Sequence, residues 1–320
     1  MHPTPTTGSS TPPSAQDLRG VVATREELVA LARRRTRRRR ERARRSDARL
    51  AGSRLSPFLG RGMEFSEVRG YQPGDDVRWI DWRSTARTGR VHTKLFAEER
   101  ERPVWLVADL GRSMRFGTRG AFKSVVAARA AAQLAWDAHG AGASVGGIVG
   151  SPGVCVELPP GRTAAHVLRI LDVLAAGTAV DGDPAPDFLV RELGWLRQRV
   201  RTGSRIAVIS DFYGLDGRLL AVLRSLALRC ELLLVQVFDA LESEAPPPGR
   251  YLVGDGERTR SVESGRGGAW QRELVAEFVE RRRRLEELAQ RSRISVVSLR
   301  TDDDLAALCD RLLPAHPPSA

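Results

Sequence analysis

The run Val104-Trp105-Leu106-Val107-Ala108-Asp109-Leu110-Gly111-Arg112-Ser113 decides the fold class. Five consecutive apolar residues leave no side for water, so Val104–Asp109 reads as a strand buried on both faces. The pattern recurs downstream. Ile206–Ser210 runs into Asp211, Leu232–Phe238 into Asp239, and Ile294–Leu299 into Thr301 and Asp302. Helical patterns separate these strands: Ala121–His139, Thr163–Ala175, Pro186–Val200, Leu215–Leu228, Trp270–Arg291 and a closing Asp302–Leu313. Ser144–Val149 and Val154–Leu158 read as short strands joined at Ser151-Pro152-Gly153, and a hairpin is expected around Gly254-Asp255-Gly256. Apolar strands alternating with helices predict an α/β domain over residues 103–315, with a central, mostly parallel sheet flanked by helices.

Working towards the N-terminus, the texture changes. Residues 51–102 hold turn signals at Gly60-Arg61-Gly62, Pro73-Gly74 and Thr88-Gly89-Arg90. Short strands are expected between them at Glu64–Tyr71, Val77–Trp82 and Val91–Phe96, a small β-rich segment. Residues 24–50 predict a basic helix. Thr24 and Glu27 form a capping-box pattern that opens it, and its second half is almost all arginine. From Thr24 to Arg49 there are twelve arginines against four acids. Residues 1–23, mostly Thr, Pro, Ser and Gly in their first part, predict disorder.

The formal net charge is +12, and forty-nine of the fifty-one basic residues are arginine. A skew that general speaks of base composition as much as of a polyanionic ligand. Three dispersed cysteines, Cys155, Cys230 and Cys309, imply no disulfide framework and no metal knuckle. Neither a secretion signal nor a long uncharged apolar run is visible, which predicts a cytoplasmic protein with no membrane span.

Ligands of parallel sheets collect at the carboxyl ends of the strands. There Asp109 and Asp211 are expected to face one crevice. A hard cation, Mg²⁺ or Mn²⁺, would draw on these carboxylates and on nearby hydroxyls. Without one, the pair repels itself and one carboxyl titrates high.

The constellation resembles the metal-ion-dependent adhesion site of von Willebrand factor A domains, a Rossmann-like fold. The resemblance implies Asp109, Ser113, Thr178 and Asp211 as metal ligands, with Thr178 in a Gly-Thr loop after a helix. Gly111 stands where that motif has a serine, so one ligand is lost and the site is weakened. Upstream, Arg61-Gly62-Met63-Glu64-Phe65, Arg69, Tyr71, Pro73 to Arg78, Ile80-Asp81-Trp82, Ala86 to Gly89 and Ser113-Met114-Arg115-Phe116-Gly117 resemble the signature of domain-of-unknown-function family 58. That family implies a von Willebrand A-like domain and a non-enzymatic adaptor or assembly factor working with a MoxR-type AAA+ ATPase.

Read from the residues alone, Glu64, Asp75, Asp76 and Asp81 interleave with Arg61, Arg69, Arg78 and Arg87 beside Trp79 and Trp82. Ion pairs and cation–π contacts of that density either staple the segment together or present a partner-binding surface. The alternative function is a nucleic-acid-associated protein acting through the Arg-rich helix. There is no P-loop, no HExxH and no GxSxG elbow, so any ATPase must be a partner, and zinc or serine hydrolysis is disfavoured. Thr301-Asp302-Asp303-Asp304 reads as a helix cap rather than a metal cluster, and Arg281–Arg284 as a solvated helix face.

Overall fold

A computed structural model describes residues 20–32, 64–73, 75–97, 102–180, 187–244, 249–254, 259–264, 269–290 and 294–304. The chain divides into two compact units, Glu41–Glu101 and Met1–Arg40 with Arg102–Ala320. Of residues 1–23, expected to be disordered, 1–19 lie outside the described residues, as do the Arg-rich second half of the basic helix and the closing helix beyond residue 304; residues 20–23 depart from the expectation, because Ala23 is buried and Gly20 O accepts from Phe122 N.

Residues 25–32 form α1. Only half of its expected capping box is made. The Thr24 hydroxyl accepts from Glu27 N, but the Glu27 carboxylate pairs with Arg129 at 2.6 Å instead of returning to the cap. Leu28 and Leu31 are fully buried, so this part of the basic helix belongs to the α/β core. Burial of two leucines contributes about 1.5–3 kcal/mol each.

The smaller unit holds β1 (Glu64–Gly70), antiparallel to β2 (His92–Ala97). The strand expected at Val77–Trp82 does not form. Val77–Trp79 is a 3₁₀ turn and Trp82–Thr88 is helix α2. Two aspartates cause this. Asp76 accepts from Arg78 N, and Asp81 accepts from Arg83 N and Ser84 N, so each side chain satisfies the opening amides of a helical turn. Gly89, with φ +72°, closes α2 in the left-handed conformation.

In the α/β unit the chain runs through β3 (Val104–Asp109), α3 (Lys123–Gly140), β4 (Val145–Ser151), β5 (Val154–Gly161), α4 (Ala164–Ala179), α5 (Phe188–Arg199), β6 (Arg205–Ser210), α6 (Gly217–Ala227), β7 (Glu231–Phe238), α7 (Ala240–Ser243), the hairpin β8–β9 (Gly249–Gly254, Thr259–Ser264), α8 (Ala269–Gln290) and β10 (Ile294–Arg300). Six strands form one sheet in the order β10-β7-β6-β3-β4-β5, parallel throughout except for β5.

Alternate residues of β3 serve opposite faces. Val104, Leu106 and Ala108 pack in the layer of α1, α3 and α4, and Trp105 and Val107 in the layer of α5, α6 and α8. α3 is sandwiched between the sheet and its neighbouring helices, and its alanines allow that close approach. The chain leaves β3 towards β4 on one side and later returns to β6 on the other. The carboxyl ends of β3 and β6 therefore flank the switch point, where such sheets bind ligands.

Candidate functional site

Asp109 ends β3 and Asp211 follows β6, so parallel pairing of the two strands brings their carboxylates to one rim. Half-buried Asp109 accepts from Gly111 N at 3.0 Å and from the Ser210 hydroxyl at 2.8 Å. Its burial and the charge of Asp211 push the carboxyl up to about 6, against the pull of those two donors. Burial is the larger of the two causes, and the charge of Asp211 adds to it.

Asp211 behaves oppositely. It is 2% exposed, and burial alone would raise its pKa. The Lys123 ammonium, 2.8 Å from Oδ2, together with Tyr213 N on Oδ1 and the Ser113 side chain, holds it below the ordinary carboxylate range. Lys123 opens α3, is itself 2% exposed, and also reaches Glu242 Oε1 of α7 at 3.1 Å. Burial disfavours its charge, and the two carboxylates more than restore it.

Two further groups complete the rim. Asp239, after β7, accepts from Thr118 N and its hydroxyl, from Leu241 N and from the Thr301 hydroxyl, so one carboxylate ties together the loops after β3, β7 and β10. Arg281 of α8 lies 3.7 Å from Glu242 and over the Tyr213 ring. The solvated face expected for Arg281–Arg284 is accordingly corrected at Arg281, whose side chain is only 10% exposed. Arg282, Arg283 and Arg284 do lie on the exposed face and pair with Glu280, Glu286 and Glu287.

Between Asp211 and Tyr213, Phe212 takes a left-handed conformation with φ +54°. For a bulky residue this costs about 1–2 kcal/mol. The Ser210 hydroxyl, accepting from Phe212 N, and the fully buried Phe212 ring hold it in place. The turn leaves Tyr213 65% exposed at the rim.

The structure therefore gathers Asp109, Ser113 and Asp211. It places Thr178 differently. Thr178 lies in the last turn of α4, not in a loop after it. Its buried hydroxyl accepts from Ala23 N at 3.0 Å and donates to Ala175 O at 2.8 Å, so it faces the N-terminal strap. Lys123, Glu242, Arg281 and Ser210 were not anticipated. A signal for Lys123 existed: it is one of two lysines in a chain that otherwise uses arginine, and a compact ammonium fits where a guanidinium does not. Among the described residues, no group of three or more His, Cys, Asp or Glu side chains is arranged to hold a metal ion.

In the smaller unit, the signature residues make local pairs. Arg69 binds Asp75 at 2.7 Å and Arg78 binds Asp76 at 2.7 Å. The Gln72 amide and Arg69 hold Asp75 below its ordinary range. Asp81 is the cap of α2. Arg87 lies exposed in the last turn of α2, and Trp82 is 71% exposed. Arg61 and the side chain of Glu64 lie outside the described residues.

The fold defines a class of protein with a switch-point α/β unit and a small unit built on a two-stranded antiparallel sheet. The family described as "Protein of unknown function DUF58" matches residues 67–285, more than half of the chain, and the chain belongs to that family. The chain is 33% identical over 208 residues to "Uncharacterized protein Rv1480" of Mycobacterium tuberculosis (strain ATCC 25618 / H37Rv), covering 65% of each chain. It thus spans about two thirds of that relative's length. It is 29% identical over 143 residues to "Uncharacterized protein YeaD" of Bacillus subtilis (strain 168), covering 45% of this chain and 33% of that one. Among solved structures, the conserved hypothetical protein BatB from Bacteroides thetaiotaomicron is similar with a TM-score of 0.39 at 14% identity, over 67% of this chain and 98% of that one.

Proposed function

We propose that this chain is a non-enzymatic, cytoplasmic adaptor or assembly factor that binds protein, working with a MoxR-type AAA+ ATPase on a von Willebrand A-like scaffold. Family membership supports the reading, and so does the surface of the smaller unit. The observation that carries it is Trp82, 71% exposed on a helix held rigid by the Asp81 cap and the Gly89 terminus. Val77 and Trp79 are exposed in the adjoining 3₁₀ turn, at 63% and 37%.

A tryptophan side chain offers about 150–250 Å² for burial. At about 25 cal/mol per Å², leaving most of it in water forgoes about 3 kcal/mol, which a docked partner recovers. Tryptophan and arginine are the residue types that dominate interface energetics. Asp75, Asp76 and Asp81 lie among the arginines of this surface, which weakens it as a phosphate-binding field.

The test is binding of the purified full-length chain to a MoxR-type ATPase by calorimetry, in nucleotide-free, ADP and ATP states. Trp82→Ala is expected to weaken binding about tenfold or more, while its own unfolding midpoint stays within about 0.5 kcal/mol of wild type. No binding in any nucleotide state, or binding indifferent to Trp82, would refute the reading.

A further inference from the structure

We infer that Lys123 is the rim's own cation: its ammonium fills the role that a divalent metal plays in an adhesion-type site, and the protein uses no metal there. The inference concerns the α/β unit alone and stands whether or not the chain serves an ATPase.

Each carboxylate oxygen that the resemblance offers to a metal already has a donor from this chain, and so does the Thr178 hydroxyl. Asp211 Oδ2 takes the Lys123 ammonium and Oδ1 takes Tyr213 N. Asp109 takes Gly111 N and the Ser210 hydroxyl, one on each oxygen. The Thr178 hydroxyl takes Ala23 N and is turned to the N-terminal strap. Ser113 hydrogen-bonds to Asp211, and Gly111 has no side-chain oxygen to offer. A hard cation needs about six oxygens in near-octahedral order, and this donor set does not fit one.

The position of Lys123 strengthens the case. It opens α3, where the helix dipole is positive, and it is 2% exposed. Dipole and burial both disfavour an ammonium there. Two carboxylates from separate elements, Asp211 after β6 and Glu242 in α7, converge on it at 2.8 and 3.1 Å, and the Phe116 ring lies beside it with its centroid 5.7 Å away. Three elements thus supply a built cage for one monovalent charge. A divalent ion beside that ammonium would meet direct repulsion.

The chain has two lysines, Lys94 and Lys123, so selective ¹⁵N-lysine labelling gives two side-chain signals. In the full-length wild type, Mn²⁺ titrated to millimolar is expected to leave the Lys123 signal sharp. Calorimetry is expected to show no saturable binding. Removing the ammonium and restoring the missing hydroxyl, in Lys123→Ala with Gly111→Ser, should create a Mn²⁺ site tighter than wild type by about tenfold or more. Adding Asp211→Asn should abolish it. Saturable wild-type binding that selectively broadens Lys123 would overturn the inference. So would a folded Lys123→Ala, Gly111→Ser protein that takes up no Mn²⁺. If that protein does not fold, Lys123→Met keeps the volume while removing the charge, and the wild-type titration decides by itself.

Discussion

Asp109→Asn removes a charge that the folded state tolerates poorly, so the variant should be more stable than wild type at neutral pH. Burial and the neighbouring Asp211 move the Asp109 carboxyl from 3.8 to about 6. Roughly two pH decades separate these values, each worth about 1.4 kcal/mol, which sets a ceiling of about 3 kcal/mol. Asp109 keeps part of its surface in water, and screening reduces the expected gain to about 1–2 kcal/mol. Folding raises this carboxyl's affinity for its proton. Wild-type stability from this group is therefore greatest below about pH 4, falls as pH rises to about 6, and is level above that. The asparagine variant lacks the loss. Its advantage should be near zero at about pH 4 and fully developed at about pH 7, while the carbonyl oxygen of the new amide still accepts from Gly111 N. Urea unfolding of both proteins across that range measures the difference. A variant less stable than wild type at neutral pH would refute the reasoning, as would an advantage that does not change with pH.

Leu28→Ala should cost about 3 kcal/mol, because the side chain is fully buried between α1 and its neighbours; an unfolding free energy lowered by less than about 1 kcal/mol would detach α1 from the core. Thr178→Val should cost about 1–3 kcal/mol and speed hydrogen exchange at the Ala23 amide, whose acceptor it deletes, while Thr178→Ser preserves both. Unchanged exchange in the valine variant would contradict the strap contact.

Much of the sheet was legible because a doubly covered strand advertises itself. Val104–Ala108 and Ile206–Ile209 have no polar position to spare, and the acids that end them fall at one rim by the rule of parallel pairing. Val77–Trp82 misled for a physical reason. Its alternation has the period of a strand, but Asp76 and Asp81 satisfy helical amides and override that weak preference. Gly177 misled as well. A glycine near a helix end suggests termination, yet α4 continues through it, and a Cβ there would crowd Leu110 at 2.8 Å. The glycine serves close packing, and Thr178 is carried into the helix with it. The scarcity of lysine marks Lys123, but its pairing was illegible, because its partners are 88 and 119 residues away.

The burial of α1 anchors the described start of the basic helix to the α/β core. Arg33 is one peptide bond from a helix whose Leu28 and Leu31 are sealed in the core and whose Arg25 and Glu27 are clamped to Asp172 and Arg129. A load applied beyond residue 32 therefore meets first the Glu27–Arg129 pair, which ties α1 to the helix that Lys123 begins.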